Sequence, residues 1–176
     1  ERYRLKDPKF FDEDLKLCLN CRRCEVACPE GVQIGEMIQA ARIKYSTHRP
    51  ILRDMMLANT DIVGTMANMV APVANAVLGL GVTKQVLHGV MGIDKHRSFP
   101  AYSSQKFVTW FKKNAKAEQQ KFSKRVSYFH GCYVNYNFPQ LGKDFVKIMN
   151  AIGYGVDLLE KEKCCGVALI ANGMSG

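Results

Sequence analysis

The sequence carries no G-x-G-x-x-G dinucleotide fingerprint, and residues 51–123 contain no evident catalytic set. That excludes a self-contained nicotinamide- or flavin-dependent enzyme of the usual kind. No secretory signal is visible, although a chain opening on Glu1 rather than Met says little on that point. Histidine is scarce. His48, His88 and His96 have no ligand partner near them in sequence, and His130 reads as a strand-end residue rather than a ligand. Acidic residues are in deficit, 16 against 25 Lys and Arg, for a net charge of +9. The excess is densest between Lys95 and Arg125, where nine basic residues face the single Glu118. Such a stretch suits nucleic acid or an anionic membrane surface. Here lysines and aromatics gather on one short segment, which favours the membrane and leaves nucleic acid out of the expected partners. With 47% hydrophobic residues the chain has enough apolar material for a core, and its 176 residues fit one ordinary domain or two small ones.

The chemistry lies in the cysteines. There are seven, an odd number, and Cys164 and Cys165 are adjacent, so a simple disulfide framework is a poor reading. Metal thiolates call for a reducing compartment, hence the cytoplasm. Cys18, Cys21, Cys24 and Cys28, with Pro29 directly after, form C-x₂-C-x₂-C-x₃-C-P, the run that holds 4Fe–4S clusters in bacterial ferredoxins. Two-residue gaps let a tight loop wrap three corners of a cubane. In two-cluster ferredoxins the fourth cysteine serves the other cluster. Cys18, Cys21 and Cys24 are therefore expected to hold one cluster, and Cys28 a second. A structural zinc site more often shows two separated C-x₂-C pairs. The remaining ligands of a second cluster are missing, and the chain ends in ANGMSG at what reads as a helix start. The expectation is an internal fragment of a longer protein, with the first cluster run upstream.

The chain reads as α+β and multidomain, in three regions. Residues 1–50 look like the second half of an α-helical two-cluster ferredoxin module. It has a short helix over Asp12–Leu17 and a longer one in VQIGEMIQAARIKY, where Ile34, Met37, Ile38, Ala41 and Tyr45 share a face. Arg22 and Arg23, between the ligands, either offset cluster charge or face solvent. Residues 51–123 form a helical linker. Residues 62–83 are uncharged. On a helical period Ile62, Met66, Met69, Val73, Val77 and Leu80 line one face, and Thr65, Asn68, Pro72, Asn75 and Gly79 another. Pro72 is expected to break or kink it. An interfacial helix, a core or partner-packing helix and a transmembrane helix all remain open. Ser103–Phe122 reads as a basic amphipathic helix capped by Ser103 or Ser104. Phe107, Trp110 and Phe111 sit on one side among Lys106, Lys112, Lys113 and Lys116. Those rings suit either a lipid headgroup boundary or a protein neighbour. Residues 124–176 read as strand (VSYF), helix (Pro139–Ile152) and strand (VDLL), a parallel βαβ unit. Cys132 follows the first strand, and Cys164 and Cys165 the second. Strand C-terminal ends share one edge, so three thiols are expected to meet there.

The pattern of Cys132, 31 residues, then Cys164-Cys165-Gly166 resembles the first half of the CCG cysteine-rich domain of heterodisulfide reductases and related iron–sulfur oxidoreductases. The segments CLNCRRCEVACP, FHGCYVNYNFPQLGKD and KEKCCGVALIANG, with RLKD and DKHRSFPAYS, resemble the iron–sulfur subunit family of anaerobic glycerol-3-phosphate dehydrogenase. The resemblance implies two 4Fe–4S clusters in the full-length protein and a noncubane iron–sulfur cluster or zinc at Cys132, Cys164 and Cys165. It also implies relay of electrons from flavoprotein dehydrogenase subunits to the menaquinone pool. The place would be peripheral, on the cytoplasmic face of the bacterial inner membrane, with this subunit tethering the complex and catalysing nothing itself. The alternative is a heterodisulfide-reductase-like or glycolate/lactate-oxidase iron–sulfur subunit with redox chemistry at the CCG site.

Overall fold

The computed structural model describes residues 17–45 and 51–174. The chain divides into two compact units, Glu1–Ala58 with Gly166–Gly176, and Asn59–Cys165. It is mostly helical, with one two-stranded parallel sheet among the described residues.

In the first unit the described elements are α1 (Arg23–Val26), α2 (Ile34–Tyr45), α3 (Ile51–Ala58) and a closing helix Val167–Ala171 that packs on α3. The helix expected over Asp12–Leu17 lies outside the described residues except for Leu17, which is in a turn. The expected second helix is present from Ile34. Glu25 Oε1 accepts the Gly35 N–H at 2.8 Å, joining α1 to the first turn of α2. That bond satisfies one of the donors a helix start leaves unpaired.

The second unit starts with three apolar helices, α4 (Thr60–Met69), α5 (Ala71–Gly79) and α6 (Gly81–Met91). The chain bends by 104° between α4 and α5, and Pro72 stands in the first turn of α5. Proline's fixed φ suits that position, and its missing N–H costs nothing there. Among the described residues no single helix is long and apolar enough to cross a membrane. The two faces read from the sequence are both present, with the polar one turned inward. Asn68 is buried and its side-chain amide donates to the Ser103 carbonyl. Asn75 grips the Tyr102 backbone twice, donating to its carbonyl at 2.8 Å and accepting its N–H at 2.7 Å. Lys106 Nζ donates to Thr65 Oγ1 at 2.9 Å. Meanwhile Ile62, Met66, Met69, Val73, Val77 and Leu80 all face outward, from 43% exposed at Val77 to 79% at Met69.

The basic amphipathic segment is shorter than expected. Helix α7 covers Phe107–Trp110, continues as a π-helical turn over Phe111–Ala115, and ends as α8, Lys116–Gln119. Neither serine caps it. Lys106 is the N-cap residue, while Ser103 is held extended by its N–H bond to the Tyr136 carbonyl at 2.8 Å. Phe107, Phe111, Ala115 and Gln119 form a buried stripe at a strict spacing of four. On an α-helix such a stripe drifts by about 40° per step, and one π turn absorbs most of the accumulated drift. The headgroup reading of Phe107 and Phe111 is therefore corrected. They are 0% and 4% exposed, in a core with Ala115, Val134, Val146 and Val156.

The βαβ unit runs β1 (Lys124–Tyr128), α9 (Gly131–Tyr136), α10 (Pro139–Ala151) and β2 (Tyr154–Leu158). The strands pair in parallel, Lys124 opposite Tyr154 through Tyr128 opposite Leu158. The N–H of Val156 on β2 is taken by Gln119 Oε1 at 3.0 Å, and the amide of that same side chain donates to Ala115 O at 3.2 Å. A buried glutamine thus pairs a backbone donor that would otherwise be stranded. Gly142 lets α10 approach α7, since a Cβ there would stand 2.6 Å from the Phe107 ring and 2.8 Å from Val134.

Candidate metal centres

The loop of residues 18–28 is shaped by two left-handed residues, Asn20 at φ 54° and Arg22 at φ 55°. They turn the chain twice between the first three cysteines. The Asn20 N–H points at Cys18 Sγ at 3.4 Å, the kind of bond that stabilises a metal thiolate. Asn20 Oδ1 is held by Gln39 Nε2 at 2.9 Å. The Arg42 guanidinium donates to the Cys18 carbonyl at 2.6 Å and also to the Ala171 carbonyl, within the same unit. Arg22 faces Glu25 at 3.9 Å and is half exposed. Cys21 and Cys24 are exposed, Cys18 and Cys28 half-buried, and no disulfide joins any of the seven cysteines. The donor set fits a thiolate-ligated iron–sulfur cluster in kind, since soft sulfur ligands select it. Among the described residues no three His, Cys, Asp or Glu side chains are gathered closely enough to hold a metal ion. Sites of this kind close as the metal binds.

At the C-terminal edge of the sheet, Cys132 is the second residue of α9 and Cys164 lies beyond β2. Their sulfurs are 4.0 Å apart. Cys165 is exposed and does not complete a three-donor set with them. Burial pushes the Cys132 thiol up to about 11, with further contributions from Cys164 and Cys165. Tyr102 is raised too, by burial and then by Cys132. Cys132 opens onto a cavity of about 800 Å³ whose walls include Lys106, Lys112, Lys116, Arg125 and His130.

The sequence reading missed Glu162. Its carboxylate accepts the N–H of Gly131 at 2.6 Å and of His130 at 3.2 Å, and Oε1 lies 3.2 Å from His130 Nδ1. The same Nδ1 is 2.9 Å from the Gly131 carbonyl. Both neighbours of Nδ1 are acceptors, so that nitrogen carries a proton. Edge-on contacts with Phe107 and Tyr128 fix the ring. Burial and the Glu162 charge together raise Tyr128. Within KEKCC one glutamate among lysines gives no signal that it turns inward. Arg42 was missed for a similar reason, since its partners Cys18 and Ala171 are far from it in sequence.

Residues 10–33 match the 4Fe–4S binding domain, and residues 126–176 match the cysteine-rich domain known as CCG. A subunit of the anaerobic glycerol-3-phosphate dehydrogenase of Escherichia coli K12 is 51% identical over 175 residues, 99% of this chain and 44% of that protein. The probable glycolate oxidase iron–sulfur subunit of Bacillus subtilis is 24% identical over 88% of this chain and 38% of its own length. An uncharacterised iron–sulfur protein of Methanococcus maripaludis is 25% identical over 97% of this chain and 28% of its own length. The chain thus spans less than half the length of these curated relatives. No solved structure matches it. With its 4Fe–4S binding domain and its CCG domain, this chain belongs with the CCG-domain iron–sulfur proteins and resembles the iron–sulfur subunit of anaerobic glycerol-3-phosphate dehydrogenase along nearly all of its length.

Proposed function

We propose that this chain is part of an electron-transfer subunit. It carries electrons from a flavoprotein glycerol-3-phosphate dehydrogenase toward membrane quinone and holds that complex on the cytoplasmic face of the membrane. The observation that carries the reading is the 51% identity over 99% of the chain to the E. coli dehydrogenase subunit, with the C-x₂-C-x₂-C-x₃-C-P run at Cys18–Cys28. A bound 4Fe–4S cluster supplies reversible one-electron storage. Cys18, Cys21 and Cys24 give three thiolates to one cluster, and Cys28 reaches a second. The Asn20 N–H on Cys18 Sγ withdraws charge from the ligand, and the Arg42 cation at the Cys18 carbonyl acts in the same direction. Both favour the reduced form. Cys132, Cys164 and Cys165 form a further site, for a noncubane iron–sulfur group or zinc.

The outward apolar faces support the tether. Ile62, Met66, Met69, Val73, Val77 and Leu80 are exposed on α4, α5 and the residue after them, and Val82, Val86 and Val90 on α6. Apolar area of that extent suits the headgroup–acyl boundary, with exposed lysines adding attraction for anionic lipid. The 104° bend between α4 and α5 suits helices lying in the interface rather than crossing it. The test is reduction by substrate. The full-length protein is mixed anaerobically with its flavoprotein subunits, and the visible absorbance of the clusters is followed. Glycerol 3-phosphate should bleach it only when the flavoprotein is present, and vesicles containing menaquinone should restore it. Bleaching by glycolate instead would move the chain to the glycolate-oxidase type, and no bleaching by either would reject the relay.

A further inference from the structure

We infer that Glu162 is a positioning residue for the CCG thiol site: its buried carboxylate locks the loop carrying Cys164 onto the turn carrying Cys132. The inference rests on the reading of Cys132, Cys164 and Cys165 as ligands. These thiols come from segments 31 residues apart, joined by no disulfide, and each on a loop beyond a strand end. Something must hold the loops in register.

The structure assigns that work to an anion-binding nest. His130 is right-handed, at φ −84° and ψ −24°, and Gly131 is left-handed, at φ 67°. That sequence of conformations turns two successive backbone N–H groups into one concavity, which suits an anion. Glu162 fills it, accepting from His130 and Gly131, and its other interaction is with the protonated Nδ1 of His130. The carboxylate side chain is 5% exposed and the imidazole 6%. A carboxylate that buried persists only when paired and hydrogen-bonded, and here both conditions are met. The next residue after the nest is Cys132, and the second after Glu162 is Cys164. The latch therefore acts within two residues of each sulfur, and the sulfurs stand 4.0 Å apart. Gly131 is needed for its φ rather than for space, because a Cβ there would meet only Phe129, at 3.9 Å. His-Gly-Cys and Glu-x-Cys-Cys thus work as one unit. The first offers the nest and one thiol, and the second offers the anion and two.

The test reads the loop geometry without any cofactor. Full-length protein is freed of metal with chelator, and diamide is added. Cys132 and Cys164 together give two electrons and two protons to the diamide N=N bond and form one S–S bond, followed by peptide mass spectrometry. The wild type should cross-link fastest. E162A should slow it about tenfold, the factor carried by losing one hydrogen bond to a charged group. E162Q keeps the length and one acceptor oxygen, so it should fall between the two. E162A cross-linking as fast as wild type would overturn the latch. Should E162A lose its far-UV circular dichroism, E162Q decides alone: a rate below wild type supports the latch, and an unchanged rate overturns it. A separate arm addresses the ligand reading. C132S should lower the metal content of the anaerobically purified protein, and unchanged metal and spectrum would reject that reading while leaving the cross-linking result to judge the latch.

Discussion

Replacing Asn68 and Asn75 by leucine, and separately Val73 and Val77 by aspartate, gives opposite results if the polar face of α4 and α5 is the inner one. Asn75 makes two hydrogen bonds with the Tyr102 backbone, and Asn68 makes one with Ser103. Backbone groups left unpaired against the helices cost about 1–3 kcal/mol each. The N68L/N75L pair should therefore lose roughly 3 kcal/mol, which lowers Tm by about 12 °C in a unit of this size. Val73 and Val77 are 63% and 43% exposed, so V73D/V77D should move Tm by only a few degrees, as surface substitutions do. Lipid binding should respond the other way round. Two valines withdrawn from the acyl boundary forfeit about 1.5 kcal/mol each, so V73D/V77D should weaken flotation with anionic vesicles by ~100-fold. Calorimetry and vesicle flotation on the full-length protein read both quantities. If the aspartate pair unfolds the protein while the leucine pair leaves Tm unchanged, the valine face is the core and the reasoning fails.

Other substitutions test the remaining contacts. R42A removes a cation and a hydrogen bond at the Cys18 carbonyl. It should lower the cluster midpoint potential by about 40 mV, the equivalent of ~1 kcal/mol of Coulomb energy near the surface, read by redox titration under electron paramagnetic resonance. G142A places a methyl against Phe107 and Val134. Chemical denaturation should show a loss of about 1–3 kcal/mol, as overpacked cores do. In the metal-free chain Cys132 should react with iodoacetamide far more slowly than exposed Cys21 at pH 8. Its thiol is pushed up to about 11, mainly by burial. A folded-state value above the unfolded one gives stability that is intact below about pH 9 and is lost as pH rises through about 11. Urea midpoints measured across that window check the sign.

The βαβ unit was legible because its signals are local. Val126 and Tyr128 favour a strand, Pro139 opens α10, and Gly153, at φ 85°, ends it before β2. The cysteine spacing pointed to the 4Fe–4S binding domain that residues 10–33 match. Which face of a helix turns inward was not legible. An amphipathic pattern marks two faces, and Asn68 and Asn75 go inward only because the extended residues Tyr102 and Ser103 offer backbone groups to pair with. Phe107 and Phe111 among lysines looked like a membrane edge. The spacing of four that continues to Ala115 and Gln119 was the overlooked sign of a core stripe. Glu162 and Arg42 act on groups distant in sequence, His130 and Gly131 for one and Cys18 and Ala171 for the other, and no local pattern encodes such pairs.

The central claim is an electron relay built on the cysteine run, with the fourth thiolate serving a different cluster from the first three. The direct measurement is low-temperature electron paramagnetic resonance of the full-length protein, reduced anaerobically, comparing Cys21→Ser with Cys28→Ser. The account predicts that Cys21→Ser removes one cluster signal and Cys28→Ser damages the other. Loss of the same signal in both variants, or of neither, would contradict it.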